Sequence, residues 1–233
     1  MTRERSTWAG IVALVLGGAC RQESAPEARG ESAFAVTQIL RVHRASDAPK
    51  IDGELGEADW QRAARTGAFV DEHGHDARPY SEARFLWDAQ ALYVGVYAAD
   101  EDIRCANTKH DGAVWLDDSF ALHLRAPKTM SRFQIDVSAT GIVTDTRNGR
   151  DPIWESGVSV GVDRDGTLND ASDDDEEWVT ELRIPLASIG VVAAARARVE
   201  VAIERCDQPK GARRRCGRWA GRDGAMIALE FGE

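Results

Sequence analysis

Carboxylates are the most numerous groups in this sequence that could do chemistry, and many of them fall in one run. Asp and Glu total 39 of the 233 residues, and five consecutive acids extend from Asp173 to Glu177. Oxygen ligands of this kind suit calcium, but the run lacks the spacing and the glycine of an EF-hand loop. A solvated loop therefore explains it better than a metal site.

None of the catalytic motifs that spacing alone can reveal occurs in the sequence. Glycoside hydrolysis would need two carboxylates about 5 to 9.5 Å apart, and with so many acids such pairs arise by chance. The sequence contains no nucleophile elbow, phosphate-binding loop or HExxH zinc helix. We therefore expect that this chain is not an enzyme.

The N-terminal residues predict export and lipid attachment. Arg3 and Arg5 precede twelve uncharged residues, Trp8 to Ala19, a length that suits a signal peptide and is too short to span a bilayer. The next residue, Cys20, completes the sequence Leu-Gly-Gly-Ala-Cys, which is similar to a bacterial lipoprotein cleavage box with its leucine one place too far upstream. We expect residues 1–19 to be removed and Cys20 to carry a lipid that anchors the protein to a membrane, at the outer membrane or in the periplasm. Ordinary cleavage or an uncleaved anchor are the alternatives.

Three further cysteines allow at most one disulfide within the chain. They are Cys105, Cys206 and Cys216, and an exported setting allows disulfides to persist. A bond between Cys206 and Cys216 would close the polar connection between them. The alternative is that all three are reduced residues of the core.

The charge of the chain limits its partners. The formal net charge is −10 and the isoelectric point is near 5.1, so the protein's field repels phosphate backbones. We expect no nucleic acid as a partner, and neutral sugars or cations fit better. Hydrophobic residues make up 43% of the chain, as in ordinary globular proteins.

The pattern of short apolar segments predicts an all-β fold, a two-sheet β-sandwich with one short helix. Strands are predicted at residues 84–87, 92–98, 119–125, 133–138, 141–146, 158–162, 178–184, 199–205 and 225–231, and the helix at residues 57–64. We expect residues 20–45 to hold the lipidated cysteine, a flexible tether and the first strand, and residues 46–233 to form the sandwich.

Several segments, taken in order, resemble the family 9 carbohydrate-binding modules. They are Ile51-Asp52-Gly53-Glu54-Leu55 followed by Trp60 and Ala63, the hairpin of residues 85–96, the segment Val114 to Phe120, and the "W-x-x-E-x-x-I-P" strand that begins at Trp178. Together they cover nearly all of residues 46–231. The resemblance implies a non-catalytic β-sandwich of the kind that commonly accompanies extracellular glycoside hydrolases, and through it a link to carbohydrate catabolism.

The resemblance also implies where a saccharide would bind. Family members clamp a sugar between two tryptophans with the help of a glutamate and an arginine. Trp115 falls on one clamp position, Gln134 replaces the arginine, and Ala121 replaces the glutamate. The loop that should carry the second tryptophan is short, so Trp219 is the candidate substitute. For Trp60, Trp87 and Trp178 we expect core packing.

The sequence leaves open two other kinds of site and one rival function. Asp117 and Asp118 could hold a structural calcium, as occurs in some modules of the family. Related sandwiches bind haem, for which Met130 or Met226 could pair with His123 or Lys109. The departures at Ala121 and Gln134 leave a third possibility, a surface interaction lipoprotein that kept the sandwich and lost the sugar site.

Overall fold

The structure, a computed structural model, describes residues 38–149, 154–209, 211–221 and 225–233. The predicted signal peptide, Cys20 with its lipid and the tether up to residue 37 lie outside these residues. The described strands are β1 (Ile39–Arg44), β2 (Ala64–Arg65), β3 (Ser81–Trp87), β4 (Ala91–Ala99), β5 (Ser119–Arg125), β6 (Arg132–Ser138), β7 (Val143–Arg147), β8 (Ser159–Asp165), β9 (Glu177–Pro185), β10 (Arg198–Asp207), β11 (Arg215–Trp219) and β12 (Ile227–Phe231). One α-helix, α1 (Ala58–Arg62), and a 3₁₀ turn (Val114–Leu116) complete them.

The strands form two sheets that meet at β1. The first sheet has the order β7-β6-β5-β10-β12-β1, with β11 beside β12 on the same edge of β10, and the second has the order β1-β3-β4-β9-β8, with β2 on β3. Ile39 to Val42 pair with β12, whereas His43 and Arg44 pair with β3, and both of these pairings are parallel. All other strand pairs are antiparallel. This is the two-sheet β-sandwich that the sequence predicts.

The core lies between the inner faces of the two sheets. Alternate residues of β5 and β6 point inward, as the two-residue period of a strand requires, and they include Phe120 and Phe133. Phe120 of the first sheet stacks on Trp178 of the second with ring centroids 6.1 Å apart, and Phe231 stacks on Trp87 at 4.7 Å. These aromatic pairs join the sheets face to face.

The outer face of the second sheet is covered by α1 and the segment before it. Trp60 packs there in a second apolar cluster with Leu86 and Tyr93. Glu181 of β9 is fully buried beneath this cover and accepts the N–H groups of Asp52 at 2.9 Å, Gly53 at 2.8 Å and the Trp60 indole at 2.6 Å. One carboxylate thus explains why the Ile-Asp-Gly entry, the helix tryptophan and the strand glutamate occur together.

The predicted strands are confirmed, and the structure adds a strand that was not predicted. All nine predicted segments lie in or overlap β3 to β10 and β12, and Trp60, Trp87 and Trp178 are buried as expected. The sequence did not predict β11, which pairs with β10. The first strand, expected before residue 46, is β1, and it is hydrogen-bonded into both sheets.

No helix among the described residues is long and apolar enough to span a membrane.

Candidate functional site

Trp115 is held at the surface by the 3₁₀ turn that carries it. Val114 of this turn is fully buried and anchors it, whereas Trp115 is 50% exposed and Leu116 is 64% exposed. The Asp117 carboxylate follows the turn and accepts the backbone N–H groups of Ala106 at 2.9 Å and Asn107 at 3.1 Å. A fixed backbone therefore presents an indole ring to solvent, and the face of such a ring can stack on an apolar ligand surface.

The turn lies against β5 and β6 of the first sheet. Thr144 of β7 donates its hydroxyl hydrogen to the carbonyl of Gly112 at 2.6 Å, and the N–H of Asp111 donates to the carbonyl of Val143 at 2.9 Å. These two bonds tie the segment that leads to Trp115 onto β7, the edge strand next to β6. The tryptophan is thereby positioned relative to the sheet rather than left on a free loop.

The outer face of the first sheet is polar. Successive residues of a strand point to opposite faces, so the residues that alternate with the apolar core positions of β5, β6, β7 and β10 lie together outside. The strand pairing sets Ala121 between Asp136 and Glu204, and His123 opposite Gln134. This outer face, with Ala121, His123, Gln134, Asp136, Thr144, Thr146 and Glu204, is called the polar face below.

Gln134 is committed to a partner on the polar face. Its amide nitrogen donates to both carboxylate oxygens of Asp136, at 2.9 and 3.0 Å. Burial raises the pKa of Asp136, although the Gln134 bond and the nearby His123 act in the opposite direction. The candidate binding group at this position is therefore the Gln134–Asp136 pair rather than Gln134 alone. The amide nitrogen orients the carboxylate, and the amide oxygen remains available as an acceptor.

Trp219 is not available for sugar stacking, and this expectation is wrong. Its side chain is only 8% exposed and its ring packs on Phe85 with centroids 5.7 Å apart. Trp219 lies opposite Ile203 in the β10–β11 ladder and belongs to the same core cluster. The alternation of β11 points Arg218 outward and Trp219 inward, and without β11 in the prediction that difference could not be seen.

The structure separates the two carboxylates that were expected to share a metal. Asp117 is occupied by the two backbone N–H groups described above, while Asp118 is fully buried and groups with Asp100 and Asp207. One oxygen of each of these three carboxylates lies within 4.8 Å of the others. Burial and the charge of Asp100 raise the pKa of Asp118 to about 7.

A buried arginine already partly neutralises this acidic cluster. The Arg205 guanidinium donates to Asp100 at 2.6 Å and lies 3.4 Å from an oxygen of Asp207. The oxygens of Asp118 each accept one backbone N–H, from Arg104 and Gln208 at 2.5 Å. Hard oxygen ligands are therefore present, but a calcium ion would share them with Arg205.

Cys206 and Cys216 form a disulfide that joins β10 to β11. The third described cysteine, Cys105, is buried and free. Burial raises its pKa to about 12, so the thiol stays protonated at neutral pH. For the haem alternative, Met130 lies in the turn after β5 with its side chain 63% exposed, and His123 lies on the polar face.

Beyond the expected residues, a groove of about 550 Å³ opens where β10 and β11 meet residues 70–78. Its charged lining consists of Asp71, Glu72, Asp76, Arg78, Glu204, Arg214, Arg215 and Arg218. Glu204 belongs to both the groove and the polar face. The sequence alone could not predict this groove, because one of its walls is β11, the strand that was not predicted.

A β-sandwich that offers an exposed indole beside a polar sheet face has an architecture suited to ligand binding. The chain belongs to the carbohydrate family 9 binding domain-like family, whose model matches residues 51–226. The resemblance read from the sequence is thereby confirmed.

Solved structures share the fold of this chain. A candidate carbohydrate-binding protein from Bacteroides uniformis has a TM-score of 0.66 at 14% identity, covering 83% of this chain and 99% of its own. A family 9 carbohydrate-binding module from Caldicellulosiruptor kristjanssonii, solved with cellotriose, has a TM-score of 0.62 at 15% identity, covering 84% of this chain and 94% of its own. The same kind of module from that organism, solved with glucose, gives 0.61 at 16%, covering 83% and 96%. No curated protein matches the chain.

Proposed function

We propose that this protein is a non-catalytic module that binds a saccharide by stacking it on Trp115 beside the polar face. The single observation that carries this proposal is the half-exposed indole of Trp115 on a backbone held by Asp117. The apolar face of a pyranose packs on such a ring, while its hydroxyl groups need a few placed donors and acceptors. Gln134, His123 and Glu204 lie on the adjacent strands to supply them.

The test is calorimetric titration of the purified protein with glucose, cellobiose, xylobiose and soluble polysaccharides. We expect saturable binding, and we expect Trp115→Ala to weaken it about tenfold or more, as truncation of an aromatic anchor does. Leu116→Ala is the matched control, because Leu116 is an exposed neighbour on the same turn. Absence of binding to every sugar at millimolar concentration would overturn the proposal.

The rival proposal, an interaction lipoprotein without a sugar site, is supported by two observations on this sheet. Ala121 offers no polar side chain between Asp136 and Glu204, and Trp219 is withdrawn into the core. The titration above separates the two proposals.

A Soret absorption band in the purified protein would instead support the haem alternative.

We propose further that the protein is exported and anchored by a lipid on Cys20. The leader sequence of residues 1–20 supports this. Metabolic labelling with palmitate, lost in Cys20→Ser, is the corresponding test.

For a structural calcium we propose Asp118, Asp100 and Asp207 as the ligands in place of Asp117. Their clustered oxygens support this, and Arg205 is the competing cation. If calcium binds there, a chelator should lower the melting temperature.

A further inference from the structure

The arginines in β11 and just before it form a basic segment in a chain that is acidic as a whole. The net charge is −10, yet the segment of residues 213–218 contains Arg213, Arg214, Arg215 and Arg218, all exposed. At physiological ionic strength charges are screened beyond about 8 Å. A ligand in contact with this segment therefore experiences the nearby charges of the groove lining, four arginines and four carboxylates, more than the negative charge of the whole molecule.

These arginines are presented by a rigid wall. The disulfide between Cys206 and Cys216 fixes the start of β11 to β10, and Arg218 exchanges two backbone hydrogen bonds with Val70, at 2.8 and 2.9 Å. Gly217 allows the opposite wall to approach, because a Cβ atom at this position would lie 2.4 Å from the Cβ of Ala77. The groove between the walls is thus held in place from both sides.

One guanidinium group in the groove forms an ion pair within the protein, and the others do not. Arg215 pairs with Asp207 through two nitrogens, at 2.8 and 2.6 Å. Among the described residues, by contrast, no carboxylate lies within 4.0 Å of Arg78, Arg214 or Arg218. Glu204 directly faces Arg218 in the ladder and still makes no ion pair with it. Three guanidinium groups therefore keep their donors available inside one groove.

The same groove also offers acceptors suited to hydroxyl groups. Asp76, Glu72 and Glu204 line it beside the arginines, while Asp71 already accepts the backbone N–H groups of His73 and His75. Carboxylate acceptors beside guanidinium donors suit a ligand that carries both hydroxyl groups and an oxyanion. The volume of about 550 Å³ falls within the range of small-molecule sites, about 300 to 1,000 Å³.

We infer that this groove recognises an acidic sugar, with Arg214 and Arg218 binding its oxyanion. The planar guanidinium fork matches a uronate carboxylate, and the same chemistry would accept a sulfate ester. The inference rests on the proposed saccharide binding and names its substrate class. Glu204, shared by the groove and the polar face, makes the two regions one surface.

The test compares glucuronate and galacturonate with glucose and galactose at matched ionic strength, and includes glucose 6-sulfate. We expect the acidic sugars to bind about tenfold more tightly than their neutral counterparts, which corresponds to one charge-assisted contact. The double variant Arg214→Gln/Arg218→Gln should abolish this preference. Arg213→Gln, which removes the same charge one residue outside the groove lining, should retain it.

The outcomes separate this inference from the proposed function. Equal affinity for glucose and glucuronate, or a preference that survives in the double variant, would overturn the inference and leave saccharide binding at Trp115 intact. Binding of no sugar at all would overturn both. A preference for both oxyanions, or for only one of them, supports the inference and tells whether a carboxylate or a sulfate ester is recognised.

Discussion

Glu181 shows how much of the fold depends on one buried residue. Its carboxylate gathers two backbone N–H groups and the Trp60 indole beneath the cover of the second sheet. Burial nevertheless raises its pKa to about 7, because desolvation outweighs these three donors. The group is therefore at once a structural acceptor and a titrating acid near neutral pH.

This shift predicts a pH dependence of stability. The pKa of Glu181 in the folded protein exceeds its ordinary value of 4.5, so between these values the folded state holds a proton that the unfolded state has lost. The contribution to stability is complete below about pH 4.5 and is lost as the pH rises through 7. Relative to Glu181→Gln, the wild-type free energy of unfolding should fall by up to about 3 kcal/mol over this window.

Urea unfolding followed by tryptophan fluorescence from pH 4.5 to 8 measures this difference. The variant will itself be less stable at every pH, because an amide cannot accept all three N–H groups. The slope of the difference, rather than its size, is the diagnostic quantity. Parallel pH profiles for the two proteins would contradict the prediction.

At the scale of elements, strands in which apolar and polar residues alternate could be predicted from the sequence. The candidate site could be predicted only in part. In β6 the apolar positions Phe133, Ile135 and Val137 alternate with polar ones, and the structure confirms this strand and its neighbours. The short strand β11 has the sequence Arg-Cys-Gly-Arg-Trp, which carries no such pattern. It forms because β10 and Val70 offer it backbone partners, and this is information that only the tertiary structure supplies.

Because β11 was not predicted, the parts of the site that depend on it could not be predicted either. The exposure of Trp115 could be proposed from its position beside Asp117 and Asp118 in the family pattern. The orientation of Trp219 and the groove of Arg214 and Arg218 could not, because both depend on which residues of β11 point outward. Similarly, the grouping of Asp118 with Asp100 and Asp207 joins residues that are far apart in the sequence.

The disulfide provides a prediction at this scale. Cys206 and Cys216 are ten positions apart, and closing a loop of this length should stabilise the folded protein by about 2 to 3 kcal/mol. The oxidised protein should therefore unfold at a higher urea concentration than Cys206→Ser/Cys216→Ser. A reductant should lower the wild-type midpoint and leave that of the double variant unchanged, and a reductant-insensitive wild type would refute this account.

For the molecule as a whole, β1 is the strand that makes one domain of two sheets. It is the member common to both pairing orders, and Val42 within it is fully buried. Gly232, which follows β12, also donates its N–H to the carbonyl of Val42 at 2.8 Å. Removing β1 would expose the pairing edges of both β12 and β3 at once.

A chain that begins at residue 46 should therefore be much less stable than one that begins at residue 38. The loss should be several kcal/mol, a large fraction of the roughly 5 to 15 kcal/mol that stabilises a typical domain. Thermal unfolding of the two chains, followed by circular dichroism, provides the measurement. A chain from residue 33 is the control and should match the one from residue 38, and equal melting temperatures for all three would disprove a structural role of β1.

The parallel pairing of β1 with β12 also has a mechanical consequence. The chain enters the sandwich at the start of β1 and leaves it at the end of β12, and because these strands run in the same direction, these two points lie at opposite ends of the ladder. A pull between the N-terminal and C-terminal sides would load the inter-strand hydrogen bonds in shear, all together, instead of opening them one after another. Along the line that joins these two points, the β1–β12 ladder therefore resists stretching.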